Sequence, residues 1–562
     1  MKHFKWPQRL FIVQLSKPHA LIQHVQYFNK INPLCQLKNS HINIYNIINR
    51  KRLHLKSNSG YMLYIYFNGR NTISQYILNI SGGIFMSLHI IDSMLDKVDF
   101  FIDNNTDKIA KDTIDLINIP SISADKQKIK EAMNIALQKG REYGFNSYDV
   151  LDGQVGVIEF GEGEETVGIL THIDVVDAEG TWKFDPFNGV LYENYIWGRG
   201  SMDDKGPLVA SLYAMRGVKE AGVPIHKKIQ LIIGTQEEVE WTDMQEYVKN
   251  YQLPDYGFTP DGEFPIENRE KGYVDVTFGF KKVEAEGEHK IIFIEGGQSA
   301  NSVPSGAEAL VHGDLKALEE KLKQYLVDNP SEKIFFSTHD GFGVITAEGI
   351  SVHSAYPEKG VNAITVLCKF LNSLSLAPNG GERLVKFIVE NFDGDVNGKK
   401  LGLYRESEYL NGEYMSRTIL CPTLLNTEDG EFKLYINMRT SYGTTKEDLD
   451  KAFNSRKEEY NYTYIYNDYM EPIYISKERP FVQAMAESYE EVSGLENEFI
   501  LAHGTSYAKS MPNILSFGPI FPGDEDFCHE KDERISLERL ITSTKIYAHT
   551  LAKIVFSLAS FK

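Results

Sequence analysis

The strongest constraint on this chain is a set of acidic and imidazole residues that recur wherever an apolar run ends or a glycine-rich turn begins. They are Thr171-His172-Ile173-Asp174, Ser201-Met202-Asp203-Asp204, Glu237-Glu238, Asp261 and His529. Gathered by a fold, they can hold two divalent ions with one carboxylate left over as a base. That is the equipment for splitting an amide bond with water.

Residues 165–170 form a short apolar run and read as a buried strand that delivers His172 and Asp174 at its end. Residues two apart in extended chain point the same way, so one can bind metal while the other holds the imidazole from behind. The plain alternative is a His that satisfies a strand end. Asp203 and Asp204 lie between glycines just before a helix beginning near Leu208. Two adjacent carboxylates repel, and a cation relieves them; a simple helix cap would need only one Asp. The run Lys228–Gly234 reads as a second buried strand and ends in Glu237 and Glu238. Neighbouring carboxylates leaving a strand point to different sides, so one can coordinate while the other acts on water. A solvated acidic turn is the alternative there. Asp261 sits in a tight turn, and His529 comes far downstream. The spacing is too wide for a zinc finger, and no Cys pair is present. Two His and three carboxylates suit zinc, and also manganese or cobalt, in an open site.

Six stretches in order then resemble the dinuclear family of aminoacylases, carboxypeptidases and dipeptidases. They are Thr171–Val176, Gly198–Pro207, Ile233–Glu238, Gly257–Pro265, Gly349–His353 with Gly360–Ala363, and Cys528–Glu533. The likeness runs from about residue 86 to the C-terminus. It is closest to the bacterial cytosolic dipeptidases that cleave carnosine-like and ordinary dipeptides. The resemblance implies that His172, Asp203, Glu238, Asp261 and His529 are metal ligands, with Asp203 bridging and a cis Asp203–Asp204 bond. It implies Glu237 as general base, Asp174 as the residue orienting His172, His353 as oxyanion partner, and Asn301 and Arg439 as substrate contacts. One departure stands out. Where the dipeptidases carry a triple-glycine loop before Thr-Tyr-Ala-Arg, this chain has Ala502-His503-Gly504-Thr505-Ser506-Tyr507-Ala508-Lys509. A loop that used glycine for close approach to the substrate is altered, which bears on substrate preference and not on the metal centre.

The 562 residues allow more than one core, and 42% hydrophobic with 24% charged residues fits a globular chain. The four cysteines form no spaced pair, which suits a reducing compartment, and the expected location is the cytoplasm. A net charge of −19 argues against nucleic acid or an anionic membrane as partner, and no apolar run approaches the ~20 residues of a membrane span. The charge is uneven. Residues 1–85 hold eleven of the 59 basic residues and none of the 78 acidic ones, and show no lasting helical or strand period. A basic binding arm and a targeting peptide are possible readings. The expectation is a disordered extension or upstream sequence from a misassigned start, with Met86 opening the body.

From Met86 a helical pattern runs to Pro120, and a second covers about 125–140. Strands near 155–160, 165–171 and 229–234 alternate with helices, which predicts an α/β catalytic domain with a mostly parallel sheet flanked by helices. After Gly272 the pattern changes. Val274, Val276, Phe278 and Phe280 alternate, as do Phe432, Leu434, Ile436 and Met438, and helices fall near 315–326 and 364–374. This predicts an inserted α+β lid over 273–472, between catalytic parts 86–272 and 473–562, and accounts for the gap between Asp261 and His529. A helix through Leu537–Leu558 closes the chain.

The expected function is hydrolysis of free dipeptides, with two divalent ions, zinc foremost, and Glu237 as base. The alternative is an N-acyl amino acid deacylase built on the same metal site. A non-catalytic peptide- or metal-binding protein is disfavoured, because binding alone needs no Glu237. The expected partner is a dipeptide substrate, with neither nucleic acid nor membrane. A monomer is expected, since a lid can act in cis.

Overall fold

The computed structural model describes the backbone of residues 52–56, 62–68 and 72–78 and the chain from residue 85 to 562, with side chains from residue 91. The chain divides into two compact units, Met1–Lys97 and Val98–Lys562. In the first, strands Arg52–Lys56, Met62–Asn68 and Thr72–Leu78 pair antiparallel in chain order. Met62–Asn68 is apolar or aromatic at six consecutive positions, so its sequence shows no period of two. The rest of the expected extension over 1–85 lies outside the described residues.

The helical pattern read from Met86 to Pro120 is two helices, Phe85–Asp103 and Thr106–Ile117. The break falls at Asn104 and Asn105. Their side-chain amides donate to the Phe100 and Phe101 carbonyls at 2.6 and 2.8 Å and compete with backbone donors for them. The next helix, Lys126–Glu142, is capped by Asp125, whose carboxylate accepts the backbone N–H groups of Gln127 and Lys128.

The site is built on a mixed sheet. Its strands run in the order Ile473–Tyr474, Ile266–Glu270, Ile514–Ser516, Tyr256–Thr259, Thr166–His172, Lys228–Gly234, Val155–Phe160, Asn146–Val150. The middle four are parallel, from Ile514–Ser516 to Lys228–Gly234. The other strands in this order join antiparallel, and a further strand, Phe499–Ala502, pairs parallel with Ile266–Glu270. The four central parallel strands are buried along nearly their whole length, which is why they read as largely apolar runs. One face is covered by helices Lys205–Glu220 and Leu537–Phe556, which pack on each other. Elsewhere Val155, Val157, Leu170 and Ile232 pack with Met244, Tyr247 and Tyr507.

A second sheet of eight antiparallel strands is inserted in the chain between Gly272 and Met470. Val274, Val276, Phe278 and Phe280 on one strand and Phe432, Leu434, Ile436 and Met438 on its neighbour all point into one core. That core is closed by helices Ala363–Asn372 and Gly380–Phe392. Among the described residues no helix is long and apolar enough to cross a membrane.

Candidate metal centre and its cleft

Adjacent parallel strands end side by side, so the residues just past them converge, as expected at the carboxyl edge of such a sheet. His172 ends its strand in register with Gly234, and Glu237 and Glu238 follow that neighbour. Asp261 follows Tyr256–Thr259 on the other side. Asp203 arrives in the turn before helix Lys205–Glu220, and its bond to Asp204 is cis. Glycine is required in that turn: Gly200 has φ +89°, and a Cβ on Gly206 would overlap the Ser201 carbonyl oxygen. His529 comes from the loop ahead of Arg534–Ser536.

These residues make two donor groups that share Asp203. One is His172, Asp203 and Asp261; the other is Asp203, Glu238 and His529, and within each the donor atoms lie within 4.8 Å of one another. Asp203 Oδ1 lies 2.8 Å from His172 Nε2, and its Oδ2 lies 3.1 Å from His529 Nε2. His529 Nε2 is also 2.9 Å from Glu238 Oε2, and His172 Nε2 is 3.8 Å from Asp261 Oδ2. Glu237 belongs to neither group.

The electrostatics fit a cation site. Asp203, Glu238 and Asp261 have ion-pair partners only in the two imidazoles, with no Lys or Arg in reach among the described residues. Burial and then the Asp203 charge push Asp261 up to about 7, and the same causes raise Glu238. Burial and the Asp261 charge raise Glu237 well above the carboxylate range. Burial alone would raise Asp203, but hydrogen bonds with His172 and His529 hold it far below. Hydrogen bonds to Asp203 and Glu238 raise His529 to about 11. Without a cation, protons fill the role of one; divalent ions in these donor sets would neutralise the carboxylates directly.

A surrounding shell fixes the donors. His172 Nδ1 lies 3.0 Å from the Asp174 carbonyl oxygen and 3.4 Å from its Oδ1. The Asp174 carboxylate accepts Ser123 Oγ at 2.7 Å and the backbone N–H groups of Glu237 and Glu238 at 3.2 and 3.3 Å. Buried Glu533 accepts the N–H groups of Gly200, Met202 and Asp203 and pairs with Arg199 at 2.7 Å, shaping the Asp203 turn. Asp243 accepts the N–H groups of Thr235 and Gln236 and the Tyr507 hydroxyl, steadying the approach to Glu237. Ser123, Glu533, Asp243 and Tyr507 are positioning residues that sequence reasoning misses. Glu533 ends one of the six resembling stretches and Tyr507 lies in the altered loop, which was the only signal available.

A cleft of about 520 Å³ opens beside the donors. It is lined by Glu237, Glu238, Tyr273, His353, Tyr356, Arg439, Asp468 and His503 among others. The inserted unit thus contributes His353, from a loop, and Arg439, from strand Glu431–Thr440, to the same space as Glu237. Arg439 is buried, its guanidinium 4.6 Å from the Tyr273 ring centre, its Nη1 donating to the His503 carbonyl at 3.2 Å. Its Nε has no hydrogen-bond partner among the described residues. Asn301 is not part of the lining. Its side chain is exposed, and its carbonyl accepts the Ser354 N–H at 2.8 Å, so it touches the loop next to His353 instead.

The model for peptidase family M20/M25/M40 matches residues 168–553. "Putative dipeptidase YtjP" of Bacillus subtilis (strain 168) is 33% identical over 429 residues, which is 75% of this chain and 90% of that protein. A "Putative dipeptidase" of Staphylococcus epidermidis is 32% identical over 461 residues, 79% of this chain and 96% of that one. Among solved structures, the dipeptidase Dug1p of Saccharomyces cerevisiae aligns over 83% of this chain and 99% of its own, with TM-score 0.51 and 14% identity. The aminoacylhistidine dipeptidase of Vibrio alginolyticus aligns over 78% and 95%, with the same TM-score and identity. These two share the fold.

Proposed function

Because the chain belongs to the M20/M25/M40 peptidase family and is a peptide-bond hydrolase, we propose that it is a metal-dependent dipeptidase with Glu237 as general base. The observation that carries this reading is the pair of donor groups sharing Asp203, with Glu237 left outside both and facing a cleft that also holds Arg439. The relatives named as dipeptidases support the same substrate class.

His172, Asp203 and Asp261 would hold one divalent ion, and Asp203, Glu238 and His529 the other; zinc suits this donor set, with manganese or cobalt as alternatives. Bound there, the ions would supply Lewis-acid activation of water and of the amide carbonyl. Glu237 takes the proton of the attacking water and returns it to the leaving amine. Burial, the first cause of its raised affinity for protons, would persist with ions bound and suits both transfers. His353 donates to the developing oxyanion from the cleft wall, and the inserted unit acts as a lid. Arg439 grips the substrate's terminal carboxylate with a planar fork that Lys lacks. Asn301 would reach the substrate only by moving with the His353 loop. The enzyme works in the cytoplasm as a monomer, the lid acting within one chain.

A carboxylate held at Arg439 leaves room for one residue beyond the scissile bond. The metal-supplied chain should therefore cleave free dipeptides faster than their C-terminal amides and faster than N-acyl amino acids. Equal turnover of a dipeptide and its amide would remove Arg439 from this role, and preference for N-acyl amino acids would make the chain a deacylase.

A further inference from the structure

One wall of the cleft comes from two different parts of the molecule. The His503 ring, from the loop after strand Phe499–Ala502, lies against the Tyr356 ring of the inserted unit, with centres 5.4 Å apart and planes inclined by 35°. Both residues line the cleft with Arg439. The loop that carries His503 is held from behind. Arg439 Nη1 donates to the His503 carbonyl at 3.2 Å, and the buried Lys509 ammonium donates to Gly504 O and Thr505 Oγ1 at 3.3 and 3.1 Å. Lys509 is itself fixed by a 2.9 Å pair with Glu270, which also accepts the Ser506 hydroxyl at 2.8 Å. An imidazole on a loop pinned at three successive residues cannot swing aside as a surface side chain would.

This wall stands at the Arg439 end of the cleft. The charges that act on His503 are Lys271, Arg439 and Lys359, whereas those that act on Glu237 are the metal-site groups Asp261, His172, Glu238 and Asp203. Burial and those cations push the imidazole down to about 4, so the ring is neutral at physiological pH. It is a flat, uncharged surface beside a guanidinium that has an unused N–H.

We infer that His503, backed by Tyr356, is the residue that sets substrate length, by blocking the space a third residue would enter beyond Arg439. The inference rests on the dipeptidase reading and names the part of the chain responsible for its length limit. A third residue would carry the terminal carboxylate past Arg439 by about 3.3–3.6 Å of extended chain, and the two rings line the cleft beside that guanidinium.

The test is the ratio of kcat/KM for a tripeptide to that for a dipeptide, measured on the full metal-supplied chain and on His503→Gly, Tyr356→Ala and His503→Phe. His503→Gly and Tyr356→Ala should each raise the ratio at least about tenfold, the usual yield of removing a steric block from a pocket. His503→Phe keeps a flat ring and should stay near the wild-type ratio. Because Tyr356→Ala opens the wall from the opposite side, the ratio remains readable even if the 503 loop collapses. A ratio unchanged in both opening variants overturns the inference. So does a His503→Phe ratio as high as that of His503→Gly, which would assign the effect to the ring nitrogens. No dipeptide turnover by the wild-type chain would instead overturn the dipeptidase reading, and this inference with it.

Discussion

The Asp174 carboxylate accepts the backbone N–H of Glu237 at 3.2 Å while lying 3.4 Å from His172 Nδ1. One buried side chain therefore orients a candidate metal ligand and the candidate base together. Asp174→Asn keeps the shape and loses the charge. It should lower kcat/KM and metal affinity together by about 10–100-fold, the usual cost of removing a partner behind a ligating His. Isothermal metal titration beside steady-state kinetics checks this; an effect on affinity alone would limit Asp174 to the imidazole.

Glu237 lies outside both donor groups, so its removal should spare the metals. Glu237→Gln should lower kcat by ~10²–10⁴ with metal content unchanged by elemental analysis. Loss of metal in that variant would mean that Glu237 and Glu238 exchange roles.

Metal binding should release protons. Asp261 is raised to about 7 and His529 to about 11 in the metal-free chain, so both carry protons at pH 6 that a cation must displace. Apparent affinity should therefore rise as pH increases from 6 to 8, with Asp261 losing its proton across that window. Calorimetry in buffers of different ionisation enthalpy measures the released protons. A pH-independent affinity would contradict the proton-filled cluster.

His172, Glu237, Glu238 and Asp261 were readable in the sequence because each ends or follows a buried, largely apolar strand, as with Ile229–Gly234 before Glu237. Asp203 was readable from its glycine-rich turn before a helix, and His529 only from the resembling stretch Cys528–Glu533. The alternating strands Val274–Phe280 and Phe432–Met438 were readable because one face is core and the other is not. What was hidden depends on contacts distant in the chain. Nothing near Glu533 says that it accepts the N–H groups of Gly200 and Met202. Nothing near Asn301 says that its side chain stays outside the cleft. The antiparallel edge of the central sheet was equally silent, because period alone does not give strand direction. The break at Asn104 and Asn105 was visible as residues but not as an outcome, since the same amides are tolerated in many helices when they point to water.

The central claim is that dipeptide hydrolysis depends on ions held by the two donor groups sharing Asp203. The direct measurement is dipeptide turnover by the chelator-stripped chain as Zn²⁺ or Mn²⁺ is added in known equivalents. The account predicts no turnover in the stripped chain and a rise to a plateau at about two ions per chain, the number the two donor groups can hold. Full turnover in the stripped chain, or a metal-loaded chain that leaves every dipeptide intact, would contradict it.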